Sequence, residues 1–72
     1  MTRHGPTLPL WLCVTCDRPW PCRARREELR SEYAEAPCAL KLYMGMCLAS
    51  ARRDMSWAPP EALRLRFLGW VP

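Results

Sequence analysis

One imidazole and three thiols occupy the start of this chain in the pattern His4-x8-Cys13-x2-Cys16-x5-Cys22, and no other feature restricts its folding as much. Two thiols in a CxxC turn can reach the same ion. Cys22 follows the turn formers Asp17, Pro19 and Pro21, so the chain can bring it back as a third ligand. His4 then closes a tetrahedral shell, with a zinc–nitrogen distance of about 2.0–2.1 Å. All four donors are protein atoms, and a filled four-ligand shell marks a structural metal rather than a catalytic one.

Length makes such a staple necessary. Below roughly 70–80 residues a single core rarely supplies more than about 3–5 kcal/mol, and this chain has 72 residues. The staple is either disulfides or a metal. The five cysteines are an odd number, and the opening MTRHGPTLPLWLC carries no long apolar run of signal-peptide type, so the reading is a cytoplasmic, reduced, metal-binding chain. No apolar stretch approaches the roughly 20 residues that span a bilayer, and no membrane partner is expected. The expected organisation is one domain over residues 1–72, with a metal-binding knuckle over 1–21 and a helical part over 22–72.

Pro6, Pro9, Pro19 and Pro21 forbid a continuous helix through the first part. It reads as irregular backbone around the metal, with Leu8, Leu10, Trp11, Leu12 and Trp20 as apolar groups able to pack on the remainder. From Cys22 onward, RARREELRSEYAEA is rich in helix formers and places Leu29 and Tyr33 on one face. Pro21 suits its first turn. A thiol at that helix start is pushed toward the thiolate a metal needs. A second helix is expected from Cys38 to Met55, where Leu40, Met44, Cys47, Ala51 and Met55 recur at helical spacing. Leu42, Tyr43, Met46 and Leu48 widen its apolar arc, which points to a central helix packed on both sides, and Gly45 in its middle suggests close approach of another group. Pro59 and Pro60 open a third helix, with Glu61 in its first turn, Leu63, Phe67 and Trp70 along one stripe and Gly69 as a stop. No stretch alternates long enough to suggest a strand. The fold class is therefore all-α, an irregular zinc knuckle followed by three short helices.

The net charge of +4 is almost wholly arginine, since Lys41 is the only lysine. Arg18, Arg23, Arg25 and Arg26 crowd the knuckle and offer a basic face, although Glu27, Glu28, Glu32 and Glu35 also fit a solvated helix of mixed charge. Tryptophans in so small a chain mainly fill the core. Exposed ones, with Trp57 and Trp70 the candidates, would dock another protein, because tryptophan and arginine are favoured contact residues.

For the fourth metal ligand His4 is favoured over Cys38, which begins a separate helix; Cys47 reads as a small core residue. With Cys38 in place of His4 the set would hold an iron–sulfur cluster on four thiolates. The CxxC-x5-C spacing is similar to that of WhiB-like regulators, which hold such a cluster, but Arg23, Ala24 and Arg25 stand where that family has a glycine- and tryptophan-rich turn. Signals for an enzyme are poor: the chain has no glycine-rich phosphate loop, and its only histidine is the candidate metal ligand.

His4, the segment WLCVTCDRPWPCRARREEL from Trp11 to Leu29 and the ending LRLRFLGWVP from Leu63 resemble a group of small proteins of high-GC, actinobacterial type. That pattern runs from a histidine through CxxC and PWPC to a terminal RFLGW. The resemblance implies that His4, Cys13, Cys16 and Cys22 act together and that Cys38 and Cys47 are incidental. A flavin reductase label sometimes attached to the group finds no flavin or nicotinamide motif here. Asp17 stands where the pattern more often has glycine.

These observations converge on a small zinc-binding module acting as a protein-interaction or adaptor protein. The alternative is a nucleic-acid-binding or iron–sulfur redox-sensing regulator, and a third reading is an accessory to a redox or biosynthetic enzyme.

Overall fold

The computed structural model describes residues 2–72; Met1, the first residue of the expected 1–21 knuckle, lies outside them. Three helices follow a short antiparallel pair of strands, β1 (Pro6–Thr7) and β2 (Leu12–Cys13). Helix α1 spans Arg23–Glu32, α2 Pro37–Asp54 and α3 Pro60–Leu68.

The two strands correct the all-α expectation. In register, Pro6 faces Cys13 and Thr7 faces Leu12, and an isolated bridge joins Leu12 to Pro19. Strands of two residues are too short to produce an alternating pattern, so periodicity had nothing to register. Two residues turn the chain through the left-handed region, Trp11 at φ 55° and Asp17 at φ 58°. The short polar side chain of Asp17 tolerates this conformation. Trp11 does not gain from it and is held there by its partners, costing on the order of 1–3 kcal/mol.

Those partners lie far along the chain. Trp11 packs against Trp20 (ring centroids 5.6 Å apart) and edge-on against Phe67 of α3 (5.5 Å), while Trp20 and Phe67 are 6.1 Å apart. Its indole N–H donates to Asp54 Oδ2 at 2.7 Å, at the last residue of α2. Arg66 completes the attachment of the N-terminal segment to α3. Its Nε donates to the Trp20 carbonyl at 2.9 Å, and its Nη2 donates to the Leu10 carbonyl at 3.3 Å and to the Trp11 carbonyl. Burial, and secondarily the nearby Arg26, pull this guanidinium's pKa below its ordinary value, and hydrogen bonds to charged groups are worth about 1.5–3 kcal/mol. Of the apolar groups expected to pack from the first segment, Trp11 and Trp20 are buried, whereas Leu8 and Leu10 are exposed.

Helix boundaries follow local chemistry. Cys22 is the N-cap of α1, and Pro21 precedes the cap rather than opening the first turn. Pro37 and Pro60 occupy the first turns of α2 and α3, where a missing N–H costs nothing. Helix α1 stops near Tyr33, short of the expected Ala36, and Tyr33 stacks on Tyr43 of α2. Gly69 has an ordinary right-handed φ of −63°. It is the C-cap of α3, and its close approach to the preceding turn requires glycine, because an added Cβ would meet the Leu65 carbonyl oxygen at 2.5 Å.

Helix α2 buries Leu40, Met44, Leu48 and Ala51 against α1 and α3, with Met55 buried just beyond its end. It is not packed on both sides: Leu42 is 69% and Met46 65% exposed. Nothing lies within 4 Å of where a Gly45 Cβ would stand, so the expected close approach there is absent. Hydrophobicity around the helix fits a second packing partner, and among the described residues no element covers Leu42 and Met46.

Two stability outcomes follow. Gly45→Ala should raise stability by about 0.5–1 kcal/mol, because the site is a helix interior with free space. Arg66→Met should lower it by about 2 kcal/mol or more, because buried carbonyls lose charged donors. Urea unfolding of both variants at fixed metal loading reads these changes as midpoint shifts of opposite sign.

Candidate metal centre

His4, Cys13, Cys16 and Cys22 converge, with their ligand atoms all within 4.8 Å of one another. Local structure brings each one in. Cys13 ends β2 and is buried; Cys16 lies in the turn after it and is exposed; Cys22 caps α1 and is buried. The turn is closed by the Asp17 N–H donating to the Cys13 carbonyl at 2.8 Å and the Cys13 N–H donating to the Arg18 carbonyl at 2.7 Å. The Cys16 N–H points at Cys13 Sγ, 3.4 Å away, which supports negative charge on that sulfur.

His4 enters from the arm before β1. Its Nδ1 lies 3.4 Å from Cys13 Sγ, 3.4 Å from Cys16 Sγ and 3.4 Å from Cys22 Sγ. A nitrogen equidistant from three sulfurs is the apex of a pyramid whose centre can hold an ion. With metal–sulfur bonds of about 2.3 Å and a metal–nitrogen bond of about 2.0–2.1 Å, a tetrahedral zinc shell has nitrogen–sulfur edges of about 3.5 Å. The donor set therefore fits a metal ion in both chemistry and size.

Hydrogen bonds along its length hold the arm, among them the Val14 N–H donating to the Gly5 carbonyl at 2.9 Å and the Thr15 hydroxyl donating to the Arg3 carbonyl. The Trp20 indole N–H donates to the His4 carbonyl at 2.8 Å, and the His4 backbone N–H donates to Thr2 Oγ1 at 3.0 Å. Thr2 Oγ1 in turn donates to Glu28 Oε1 of α1 at 2.6 Å, and Arg25 Nη1 reaches the same oxygen at 3.2 Å. Glu28 carries the lowered carboxyl pKa that the Thr2 hydroxyl, foremost, and Arg25 confer. Sequence reading missed Thr2 and Glu28, which carry no spacing signal because their pairing depends on where α1 lies.

The sulfurs compete for charge. Burial opposes ionisation of Cys13, but the Cys16 N–H, His4, the Thr15 N–H and Cys22 outweigh it and bring the thiol to about 6. Desolvation, together with the neighbouring Cys22 and Cys13, pushes Cys16 up to about 11. Without a cation, the group cannot keep Cys13 and Cys16 both charged at neutral pH.

The other expected site residues separate from this centre. Cys38 lies exposed in the first turn of α2, outside the converging group, so the four atoms are three sulfurs and one nitrogen and the four-thiolate arrangement needed for Cys38 is not formed. Cys47 is half-buried beside the core, and burial raises its thiol pKa. Two of the four arginines of the expected basic face pair with carboxylates, and a third is held by a carbonyl. Arg23 pairs with Glu27 at 3.5 Å, Arg25 is mostly buried between Glu28 and Glu32 at 3.2 Å each, and Arg26 Nε donates to the Pro21 carbonyl at 2.9 Å. Arg18 is exposed, with no carboxylate partner among the described residues. Trp70 is half-buried under the guanidinium groups of Arg26 and Arg30, 6.0 and 5.4 Å from its ring. Trp57 is exposed. Among the described residues no helix is long and apolar enough to cross a membrane.

An ion entering this centre must displace protons. Of the coupled thiols, Cys13 gives up its proton the more readily and Cys16 the less. Because the thiols must lose protons to bind, metal affinity should fall as pH drops, by about tenfold or more per pH unit. Competition titration with a chromophoric chelator at a series of pH values measures the slope.

Comparison with models of known protein families, with curated proteins and with solved structures finds no match to this chain.

Proposed function

We propose that this chain is a small zinc-binding module in which the metal is structural and the helices serve protein interaction, as an adaptor or regulatory part. The observation that carries the metal reading is the His4 Nδ1 atom at 3.4 Å from each of three cysteine sulfurs. Zinc suits it because thiolates with one imidazole are the donors of tetrahedral structural zinc, and a four-donor shell leaves no open position for substrate. His4 fills the fourth place, and Cys38 has no part in it. The ion would offset sulfur charge in a segment whose backbone is otherwise irregular, and would tie the arm, β2 and the start of α1 to one point.

The interaction reading is supported by what the core leaves uncovered. Leu42, Met46 and Trp57 are exposed, and an apolar groove of about 550 Å³ runs along α2. Phosphate or nucleic-acid binding gains less support, because three of the four knuckle arginines are already engaged within the chain.

Protein made in zinc-containing medium should carry one zinc per chain by elemental analysis, without iron or sulfide. His4→Ala should lose tight zinc, whereas Cys38→Ala should retain it. Thr2→Val, which removes one of the tethers of the His4 arm and leaves the Trp20 bond to the His4 carbonyl in place, should weaken zinc by about tenfold, the low end for loss of a group supporting a ligand. A brown, iron-containing protein, or zinc that departs with Cys38 and stays without His4, would contradict the assignment.

A further inference from the structure

The exposed face of α2 carries a pattern the metal does not explain. Cys38, Leu42, Gly45, Ala49 and Arg52 follow one another at alternating spacings of four and three residues, the seam of a helix that packs lengthwise on another helix. The residues that line this shallow, open strip, Cys38, Lys41, Leu42, Gly45, Met46 and Ala49, all belong to α2. Space is open above Gly45, which leaves a notch beside the exposed Leu42 and Met46. A small residue set between protruding apolar ones suits the ridge of a partner helix.

Charge on this face selects the occupant. Its charged side chains on α2 are Lys41, Arg52 and Arg53, all exposed. The one carboxylate of α2, Asp54, accepts from the Trp11 indole at 2.7 Å. A neighbouring carboxylate, Glu61 of α3, is held by Arg64 and also lies in the field of Arg52, which leaves the exposed Glu35, just before α2, as the other carboxylate close to this face in sequence. Two copies of this chain, each with a net charge of +4, would bring three cations of each α2 together with one such carboxylate apiece, so cations would remain in excess. A partner helix with an apolar stripe and acidic flanks meets both requirements.

We propose that the α2 groove is the docking site for an acidic amphipathic helix of another protein, whose apolar side chains enter the Gly45 notch while its carboxylates face Lys41, Arg52 and Arg53. This deepens the interaction-module reading and rests on it.

The test uses the metal-loaded full chain, its metal content measured in each sample, and two synthetic helical peptides of about three heptads. Both carry leucine at the seam positions; one has glutamate on the flanks and the other lysine. The glutamate peptide should shift the amide resonances from Cys38 to Arg53 in heteronuclear NMR spectra, bind at least tenfold more tightly than the lysine peptide, and weaken as salt rises. Gly45→Leu fills the notch at a position with free space, so circular dichroism and metal content should stay unchanged while affinity falls tenfold or more. Lys41→Glu with Arg52→Glu should reverse the preference toward the lysine peptide.

Equal binding of the two peptides, shifts centred away from α2, no shift at millimolar peptide, or self-association of the chain that Leu42→Glu abolishes would each overturn the proposal. Metal-loaded chain that ignores the glutamate peptide removes the docking site and leaves the metal centre standing. Chain that takes no metal yet binds the peptide in the groove supports the docking site and removes the metal reading instead.

Discussion

Three sulfurs gathered around one imidazole nitrogen form the constraint on which the N-terminal third of the structure depends. At 3.4 Å from Nδ1, they sit where charge on one discourages charge on the next, and the opposed directions of Cys13 and Cys16 record that conflict. A divalent cation held at the centre would remove it. The backbone arrangement that serves this point is expensive, with two residues in the left-handed region and little regular hydrogen bonding. A strong local interaction is what makes such a segment affordable in a chain this short.

The centre is not isolated from the core. Trp20 belongs to both, since its indole N–H holds the His4 carbonyl while its rings pack with Trp11 and Phe67. Arg66 then fastens three carbonyls of the same segment to α3. Ligand geometry and hydrophobic packing are therefore coupled through a few side chains. Disturbing Phe67 should be felt at His4, more than 60 residues away in sequence, through Trp20. The helices form the platform, and the face of α2 with Leu42 and Met46 is turned away from the core.

Much of this arrangement was legible in the residues. The spacing of His4, Cys13, Cys16 and Cys22 identified the converging group because ligand reach depends on short local loops. Helical period gave the burial of Leu40, Met44 and Ala51 on α2, of Met55 just beyond it and of Phe67, while Leu48 rather than the expected Cys47 fills the middle of the stripe. Proline positions marked the starts of α2 and α3 to within a residue. What could not be read was set by tertiary placement. Leu42 and Met46 are as apolar as their buried neighbours, and they are exposed because no element among the described residues packs on that side of α2. The arginines near the knuckle were visible as charge, but their capture by Glu27, Glu28, Glu32 and the Pro21 carbonyl depended on side-chain geometry. The Asp17 conformation had a signal in the turn-forming character of its residue type, whereas the left-handed Trp11 had none.

X-ray absorption at the zinc edge tests the central claim most directly, since it counts and measures the donors of a bound ion without reference to the fold. The His4, Cys13, Cys16 and Cys22 assignment requires three sulfur scatterers at about 2.3 Å and one nitrogen at about 2.0–2.1 Å, with the nitrogen contribution removed in His4→Ala. A shell of four sulfurs, or a nitrogen contribution that survives the loss of His4, would contradict it.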